Sequence, residues 1–510
     1  MGIYLGLDSS TQGLKALLID SGEGLILGEA SVNFGAELPQ YESPKGFLPN
    51  ADPLIKVANP LLWADALDLV LAKLAAAKMP LGKVAGISGA GQQHGSVFLN
   101  SSFEDALANL DSRKNLPEQL SPCLSREVSP IWMDRSTAVE VAELQSQFGA
   151  RLQSDTGSPA IERFTGPQIR KFSKTEREKY RKTVHVHLVS SFMCSLFCGK
   201  SAAIDYGDGA GMNLLNLKTL QWDGEIASFT APKLLDKLPP VVAGTFIAGH
   251  LSPYFAKYGL CPGIPVAVWT GDNPSSLIGM GAGEPGVAVI SLGTSDTFFA
   301  AMREFKTDPA GCGHVFGNPQ GAFMALICFS NGSLARERIK DECGVDWDFF
   351  NKKAGAMTLP GNGGRLILPY FEPESTPLVL KPQVKSNFDT ASSAERVRAI
   401  LESQALSIRL HSGWIGEKFS RIRVTGGASG CLLFRQILAD VFQAEIETIS
   451  ISASAALGGA LRAANAVDGI PFGELYKKFT AAVECTKSNP ANAAIYDDAL
   501  QRYAAMERGI

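Results

Sequence analysis

Short apolar runs alternate with polar, glycine-containing turns along most of the chain. Residues 3–7 form an apolar run that predicts a strand, and residues 15–20 form a second one. Between them, residues 8–13 have the polar sequence Asp-Ser-Ser-Thr-Gln-Gly, which we name the first turn. Apolar runs on both sides of a tight polar turn predict a β-hairpin.

A second hairpin with the same layout is predicted about 280 residues further along the chain. Residues 287–292 and 298–302 are apolar, and the intervening residues 293–297 have the sequence Gly-Thr-Ser-Asp-Thr, which we name the second turn. The two turns resemble each other more than either resembles its surroundings. Because the spacing far exceeds that of repeat proteins, this indicates duplication of a whole domain.

Further apolar runs have either strand or helix spacing, and their alternation is typical of an α/β fold. The predicted strands, each followed by a glycine-rich or polar turn, are residues 84–88, 266–270 and 421–424. The predicted helices are residues 59–74, 188–198, 396–419 and 432–442.

The length of the chain predicts two domains, because 510 residues are too many for one ordinary core. Residues 244–262 are rich in Gly and Pro and lie between the two predicted hairpins. Such composition is typical of a domain boundary. We therefore predict an N-terminal domain of residues 1–252 and a C-terminal domain of residues 253–510.

The formal net charge of −4 provides no basic surface, which argues against nucleic acid or an acidic membrane as the main partner. No apolar run approaches the roughly 18 residues of a membrane helix. The first residues already predict a strand and leave no room for a signal peptide. Gly6 stands where myristoylation requires Ser or Thr. We expect a cytoplasmic protein, and its oligomeric state is open, a homodimer included.

The cysteines and histidines give no pattern of a structural metal site. The nine cysteines include no C-x-x-C pair, and Cys194 and Cys198 lie in an apolar stretch at helical spacing. Buried free thiols in a reducing compartment explain this pattern. His185 and His187 alternate along a short stretch without an accompanying cysteine or carboxylate cluster.

The two turns are candidates for binding phosphate. Small-residue turns expose backbone N–H groups, and Ser or Thr hydroxyls add donors. One such turn is ordinary, but two similar turns in the two halves suggest a nucleotide held between them. Asp8 adds a carboxylate to the first turn, and this group suits a hydrated Mg²⁺ ion.

Two other segments match known phosphate-binding motifs only in part. Gly199-Lys200-Ser201 has the tail of a P-loop, but Cys194 occupies the position of the first glycine. Residues 281–286 fit G-x-G-x-x-G, but they precede a strand instead of linking a strand to a helix. The sequence therefore predicts neither a P-loop protein nor a dinucleotide-dependent dehydrogenase.

Three segments are candidates for binding an acceptor. Asp272 follows a predicted buried strand, where a carboxylate serves either as a helix cap or as a catalytic group. Residues 89–95 (Gly-Ala-Gly-Gln-Gln-His-Gly) place two amides and an imidazole among small residues, which suits polyol hydroxyls; a ligand-free polar loop is the alternative. Trp132-Met133-Asp134-Arg135 offers either an aromatic wall with polar groups or an ordinary ion pair.

Four segments, in this order, resemble the FGGY carbohydrate kinases over nearly the whole chain: residues 8–15, 271–273, 293–295 and 426–429. The resemblance implies two ribonuclease-H-like domains, as in actin-like ATPases, around a cleft. Three further segments resemble the eukaryote-type branch that phosphorylates D-xylulose: residues 91–95, 162–166 and 204–213.

The resemblance also implies roles for individual residues, with ATP and Mg²⁺ as cofactors. Asp272 would be the general base, and Asp8 would hold Mg²⁺ through water. The sugar would be bound by His94, Arg163, Asp272 and Asn273, with Gln93 and Asp134 as neighbours. The nucleotide would be bound by Ser10, Thr11, Gln12, Gly293, Thr294, Trp347, Gly426 and Gly427, with Cys431 at a position where the family often has Asn.

Three functions remain open at this point. The first is phosphorylation of D-xylulose to D-xylulose 5-phosphate, and the second is the same chemistry on ribulose, ribitol or glycerol. The Lys-x-x-Trp-Leu pattern of the family is absent from residues 168–172, which bears on the choice of sugar. The third is a non-catalytic sugar sensor or an actin-like ATPase scaffold, against which Asp8, Asp272 and the second turn argue.

Overall fold

The computed structural model of the chain describes residues 2–451 and 453–509. It contains two compact units that are interleaved along the sequence. The first unit consists of Met1–Gly283, Val315–Phe323 and Ile451–Thr480, and the second of Glu284–His314, Met324–Ser450 and Ala481–Ile510. Asp272 lies in the first unit. The units describe packing, whereas the predicted domains are consecutive segments, so the boundary after residue 252 stays a prediction.

The strands before the second hairpin are β1 (Ile3–Ser9), β2 (Gly13–Asp20), β3 (Leu25–Asn33), β4 (Val57–Ala58), β5 (Val84–Gly91), β6 (Ser96–Leu99), β7 (Ser129–Pro130), β8 (His185–Leu188), β9 (Ile204–Asp205), β10 (Leu215–Asn216), β11 (Gln221–Trp222), β12 (Val241–Val242), β13 (Ile247–His250), β14 (Pro265–Ala267) and β15 (Thr270–Gly271). The strands that follow are β16 (Val287–Leu292), β17 (Asp296–Met302), β18 (His314–Gly317), β19 (Phe323–Phe329), β20 (Ile367–Tyr370), β21 (Gln383–Ser386), β22 (Arg421–Thr425), β23 (Glu445–Ile449) and β24 (Ala482–Thr486).

The helices up to residue 279 are α1 (Phe34–Glu37), α2 (Pro60–Ala76), α3 (Phe103–Ala108), α4 (Leu116–Leu120), α5 (Ala138–Phe148), α6 (Ala150–Thr156), α7 (Thr165–Thr175), α8 (Arg177–Lys182), α9 (Val189–Cys198), α10 (Tyr206–Gly209), α11 (Gly224–Thr230) and α12 (Asp272–Gly279). The remaining helices are α13 (Ser333–Glu342), α14 (Ser393–Ser412), α15 (Leu432–Phe442), α16 (Ser454–Asp468), α17 (Phe472–Phe479) and α18 (Ala493–Glu507). Among the described residues, none of these helices has the length and apolar character needed to cross a membrane.

The main sheet of the first unit has the strand order β13-β14-β5-β1-β2-β3, and β15 also pairs with β5. Side chains alternate between its two faces. Leu5 and Leu7 pack into a core with α2 and α9, whereas Tyr4 packs on the opposite face against α16. Helices therefore cover both faces, as the predicted α/β class requires.

The second unit repeats this arrangement of strands. Its sheet contains the order β19-β17-β16-β22-β23-β24. In each unit the first strand of the hairpin pairs antiparallel with the next strand, β1 with β2 and β16 with β17. On its other side the same strand pairs in parallel, β1 with β5 and β16 with β22. The shared order of neighbours agrees with duplication of a domain.

The sheet register brings the two candidate carboxylates of the first unit to one edge. Asp8 of β1 pairs with Ala90 of β5, and on the other side of β5 Ala90 pairs with Thr270 of β15. Asp272 follows β15 directly as the first residue of α12. With neighbouring strands just under 5 Å apart and Asp272 two residues beyond Thr270, the backbones at these two carboxylates are separated by about 12 Å.

Glycines hold α12 tightly against α16. A Cβ atom on Gly279 would lie 1.8 Å from the carbonyl oxygen of Ser454, and one on Gly458 would lie 1.9 Å from that of Ser275. No larger residue fits at either position without moving a helix. The helix that begins with Asp272 is thus fixed by backbone-to-backbone contact.

Most predicted elements are confirmed, and two are corrected. The predicted helix of residues 396–419 ends at Ser412, because a short 3₁₀ segment follows and Gly416 adopts the left-handed region (φ 73°). The predicted strand of residues 266–270 is interrupted between β14 and β15. There the carbonyl oxygen of Val268 accepts hydrogen bonds from side chains, those of Ser88 and Arg462, instead of from a strand.

Candidate active site

The first turn, predicted as residues 8–13, overlaps both strands, because β1 continues to Ser9 and β2 begins at Gly13, and it is tied at its base. The backbone N–H of Ser10 donates to the carbonyl oxygen of Gly13 (2.9 Å), and the Ser10 hydroxyl donates to the Asp8 carboxylate (3.2 Å). The indole Nε1–H of Trp132 donates to the Thr11 hydroxyl (2.8 Å). Ser10 and Thr11 remain partly exposed and Gln12 is exposed. The turn therefore presents polar groups to solvent from a fixed backbone.

Only one oxygen of the Asp8 carboxylate, Oδ2, accepts a hydrogen bond among the described residues. Its Oδ1 atom is buried and has no hydrogen-bond partner among the described residues. Burial and the nearby Asp272 carboxylate raise the pKa of Asp8 to about 7, while Ser10 and Lys15 oppose this rise. A cation would supply the missing charge and ligand, and a carboxylate oxygen is the donor that Mg²⁺ prefers. Asp8 thus fits the predicted magnesium site.

The described residues include no cluster of three or more His, Cys, Asp or Glu side chains that could hold a metal ion. A cation beside Asp8 would therefore keep most of its water ligands, which is the usual state of Mg²⁺ bound together with a nucleotide.

Asp272 begins α12 and is oriented by its neighbours. The backbone N–H of Asn273 donates to Asp272 Oδ1 (2.9 Å), and Asn273 Nδ2 donates both to the same oxygen (3.2 Å) and to Gln93 Oε1 (2.9 Å). Burial raises the pKa of Asp272 to about 6, against the lowering effect of the backbone N–H groups of Asn273 and Gln93. A carboxylate with this pKa is ionised at neutral pH and can accept a proton.

This pKa predicts the pH dependence of turnover. A base must be deprotonated to act, so at saturating MgATP, whose cation would keep Asp8 ionised despite its pKa of about 7, kcat/KM for the acceptor is expected to rise with pH through about 6 and to level off above it. The measurement is kcat/KM from about pH 5 to about pH 8 with the coupling enzymes in excess. A flat profile over that range would contradict a base with this pKa.

His94 is held as a neutral ring in an unusual backbone conformation. Its φ of 67° lies in the left-handed region, and the Thr165 hydroxyl donates to its carbonyl oxygen (3.0 Å). The Nδ1 atom lies 3.0 Å from the carbonyl oxygen of Gly211, which can only accept, so Nδ1 carries the hydrogen. Burial and the positive charge of Arg163 lower the pKa of His94 to about 3. The Nε2 atom is therefore a hydrogen-bond acceptor.

Arg163 and His94 share one aromatic neighbour. The His94 ring stacks on Phe164 with centroids 4.3 Å apart, and the Arg163 guanidinium lies 5.8 Å from the centroid of the same ring. Gln93 lies beside them and its Nε2 atom is buried without a partner among the described residues. The structure thus brings Gln93, His94 and Arg163 together around the loop that follows β5.

Asp134 has a role in holding this part of the chain. Its Oδ2 atom accepts from the backbone N–H of Lys56 (2.9 Å), and its Oδ1 atom accepts from Ser136 and from Gln168 Nε2 (2.9 Å). A side chain with both oxygens engaged fixes the loop after Trp132. Contact of Asp134 with a sugar stays a prediction.

Two buried carboxyl groups near Asp272, those of Asp205 and Asp208, lie in the segment 204–213, for which the sequence predicted a family resemblance but no role of either residue. Asp205 accepts from the backbone N–H of Asp208, and Asp208 accepts from the Ser190 hydroxyl. Burial raises the pKa of both, that of Asp208 well above its usual range. An Asp-x-x-Asp pattern at a helix start has the ordinary explanation of a helix cap, so only the resemblance of residues 204–213 to the family drew attention to this segment.

In the second unit, residues of the second turn and of the loop after β22 are exposed to solvent. The carbonyl oxygen of Gly293 accepts from the backbone N–H of Ser333 (2.8 Å), and Thr294 is exposed. Gly426 has a φ of 89°, and a Cβ atom there would lie 2.3 Å from the carbonyl oxygen of Leu292. A Cβ on Gly427 would meet no atom within 4 Å, which leaves room for a ligand beside the backbone.

Trp347 and Cys431 differ in what they offer a nucleotide. The Trp347 side chain is 43% exposed and packs edge-on against Phe350 (5.2 Å between centroids). The Cys431 side chain is only 2% exposed, and its Sγ lies 3.9 Å from the carbonyl oxygen of Asn351. The Trp347 ring is half-exposed and has the Lys340 ammonium 5.5 Å from its centroid, whereas Cys431 presents little beyond its backbone. Nucleotide binding by either residue stays a prediction.

Comparison with known proteins gives consistent results. Residues 3–279 match the model of the N-terminal domain of the FGGY family of carbohydrate kinases, and residues 288–467 match that of the C-terminal domain. A xylulose kinase of Rattus norvegicus is 39% identical over 99% of this chain and 96% of its own length. Xylulose kinase 2 of Arabidopsis thaliana is 38% identical over 96% of this chain and 94% of its own.

Among solved structures, the xylulose kinase of Rhodospirillum rubrum superimposes with a TM-score of 0.85 and 18% identity, covering 99% of this chain and 98% of that one. At this identity the likeness concerns the fold alone. It confirms the expected α/β fold with two ribonuclease-H-like units.

Proposed function

The chain belongs to the FGGY family of carbohydrate kinases, and on that basis we propose that it transfers the γ-phosphoryl group of ATP to D-xylulose, giving D-xylulose 5-phosphate. The observation that carries the choice of sugar is the 39% identity to the rat xylulose kinase over almost the full length of both chains. Phosphorylation of another sugar or polyol, such as ribulose, ribitol or glycerol, is the competing function within the same family.

Asp272 is the proposed general base. An alcohol is a weak nucleophile, and removal of its proton during attack contributes about 10²–10⁴-fold to the rate. The pKa of about 6 supports this role, since the carboxylate is ionised at neutral pH but still basic. The hydrogen bonds from Asn273 to Oδ1 hold the carboxylate in a fixed orientation.

His94, Arg163, Gln93 and Asn273 are the proposed sugar-binding residues. Each hydroxyl of a ketopentose both donates and accepts hydrogen bonds. The Nε2 atom of neutral His94 accepts, whereas the guanidinium of Arg163 and the unpartnered Nε2 of Gln93 donate. A buried polar group that gains a partner only when the sugar binds favours polyols over apolar ligands. We assign Asp134 as a neighbour of the sugar-binding residues that holds the loop after Trp132 in place.

The nucleotide is assigned to exposed backbone in both turns and in the glycine loop after β22. The residues are Ser10, Thr11, Gln12, Gly293, Thr294, Gly426 and Gly427, with Trp347 and Cys431 as further neighbours. Phosphoryl transfer requires positioning and stabilisation of phosphate charge more than covalent catalysis. Bound with ATP, Mg²⁺ would neutralise phosphate charge, and Asp8 is the residue that would hold its water shell.

We also assign the enzyme to the cytoplasm. All nine cysteines are free thiols, and four of them are buried, Cys123, Cys194, Cys198 and Cys431, which suits a reducing compartment.

A panel of acceptors tests the proposed substrate. The purified chain is given MgATP with D-xylulose, ribulose, ribitol or glycerol, and ADP release is coupled to NADH oxidation. D-xylulose is expected to give the highest kcat/KM, by at least about tenfold over the others, because loss of one matched polar contact costs about that much or more. A higher value for another acceptor would replace D-xylulose, and ATP hydrolysis that is independent of any acceptor would contradict a sugar kinase.

A further inference from the structure

A buried arginine in the interior of the second unit forms hydrogen bonds with the second turn. Arg336 of α13 is 1% exposed. Its Nη1 donates to Asp296 Oδ2 (2.7 Å) and its Nη2 donates to Asp296 Oδ1 (3.0 Å), so the guanidinium holds the carboxylate with two parallel hydrogen bonds. The Nη2 atom also donates to the carbonyl oxygen of Gly293 (3.4 Å). One side chain thus binds residues near both ends of the turn.

Gln404 of α14 connects this arginine to the start of α13. Its Oε1 accepts from Arg336 Nη1 (2.9 Å), and its Nε2 donates to the carbonyl oxygens of Asn331 (2.8 Å) and Gly332 (3.0 Å). Gly332 in turn packs on the turn, because a Cβ atom there would lie 2.8 Å from the carbonyl oxygen of Thr294. Side-chain hydrogen bonds and backbone contacts of Arg336, Gln404 and Gly332 therefore hold the backbone of the turn in position.

This network determines which polar groups of the turn are available. The carbonyl oxygen of Gly293 is engaged by Ser333 and Arg336, and that of Thr294 lies against Gly332. Carbonyl oxygens repel phosphate oxygens, whereas N–H groups and hydroxyls bind them. With the carbonyl groups of Gly293 and Thr294 directed inward, the turn presents the exposed Thr294 and Ser295 to an anion.

We propose that Arg336 and Gln404 are positioning residues for ATP: they hold the second turn in its phosphate-accepting shape without contacting the nucleotide. This inference rests on the proposed assignment of Gly293 and Thr294 to the nucleotide. Both side chains are buried, Gln404 at 5% exposure, so neither is accessible to a ligand at the surface of the turn. A buried ion pair is weak evidence for stability alone, because an apolar residue of similar volume serves that purpose as well or better.

Four variants test the proposal. Arg336→Met removes the guanidinium, Arg336→Lys retains the charge without the two-pronged geometry, and Gln404→Leu leaves the ion pair intact but releases the start of α13. Arg338→Met is the matched control, since Arg338 lies on the same helix, is 65% exposed and pairs with Glu342. The measurements are dissociation constants for ATP and for D-xylulose by titration calorimetry, kcat, both KM values and the melting temperature.

We expect Arg336→Met to lower kcat/KM for ATP by about 100-fold, the cost of a displacement of about 1 Å in a positioning element. Gln404→Leu and Arg336→Lys should lower it by about tenfold, since part of the network remains. The dissociation constant for D-xylulose should stay within about twofold in every variant, because a positioning role on the turn affects only the nucleotide. Arg338→Met should match the native chain.

Two outcomes overturn the inference. If the affinities for ATP and sugar fall together with the melting temperature, the network has a merely structural role. If all variants bind ATP as the native chain does, the turn needs no bracing. Where Arg336→Met does not fold, the ATP affinity and melting temperature of Gln404→Leu distinguish between these outcomes.

A separate variant distinguishes this inference from the proposed function. Thr294→Asp places a negative charge on the exposed face of the turn and should weaken ATP binding if phosphates bind there. A loss in Thr294→Asp without a loss in the Arg336 and Gln404 variants overturns the positioning role alone. Native ATP affinity in Thr294→Asp overturns the assignment of the turn itself.

Discussion

Replacement of Asp272 by asparagine is expected to lower kcat by about 10²–10⁴-fold while both substrates still bind. Asparagine has nearly the same shape, and its Oδ1 can still accept from the backbone N–H of Asn273, which in the native chain donates at 2.9 Å. It cannot take a proton from the attacking hydroxyl. The local structure should therefore persist while the chemical step slows.

The measurement is single-turnover phosphorylation together with dissociation constants for ATP and D-xylulose. Asp236→Asn, an exposed aspartate of the same unit, is the matched control and should leave all values unchanged. The rise of kcat/KM near pH 6 should also disappear in the Asp272 variant, because its titrating group is gone. Turnover close to that of the native chain would remove Asp272 from the mechanism.

Replacement of Asp8 by asparagine is expected to lower kcat/KM for MgATP by about 10²–10³-fold, the usual cost of losing one preorganised electrostatic contact. The Oδ1 atom of Asp8 is buried and unpartnered, and the neutral amide cannot supply the negative charge that a hydrated cation requires. The concentration of Mg²⁺ for half-maximal rate should rise, while the affinity for the sugar stays near its native value.

Titration of the enzyme with ADP in the presence and absence of Mg²⁺ checks this prediction without relying on turnover. The native chain should bind ADP more tightly with Mg²⁺, and the Asp8 variant should lose most of that difference. Asp20→Asn is the matched control, because Asp20 lies at the opposite end of the same hairpin. An unchanged response to Mg²⁺ in the Asp8 variant would exclude Asp8 from the metal site.

Local patterns were sufficient to predict the hairpins and several helices. The strand of residues 287–292 and the helix of residues 432–442 have the predicted bounds, because each is a clear apolar run with turn residues on both sides. The α14 boundary was missed since its apolar spacing continues past Ser412, where glycines end the helix. Periodicity reports which face is buried, but it does not report where the backbone stops being helical.

The candidate site could be predicted where a residue is unusual for its position. Asp272 after a buried strand and His94 among glycines are of this kind. Arg336 was not predictable, because an arginine on an amphipathic helix looks the same whether it points to solvent or into the core. The pairing of Asp296 with Arg336 depends on residues 40 positions apart, and no local pattern encodes it.

The packing of α12 on α16 limits how the acceptor range of this enzyme can be changed. Gly279 and Gly458 leave no volume for even one methyl group, so directed evolution that enlarges either position would displace Asp272, the proposed base, along with the helix. The loop after β5 is constrained differently, because Gln93 meets α12 through a side-chain hydrogen bond with Asn273 (2.9 Å) and the His94 ring stacks on Phe164, so an exchange there alters side-chain contacts and leaves the backbone packing of α12 on α16 in place. Libraries for new acceptors are therefore best placed around residues 93–94 and 163, with the two glycines held constant.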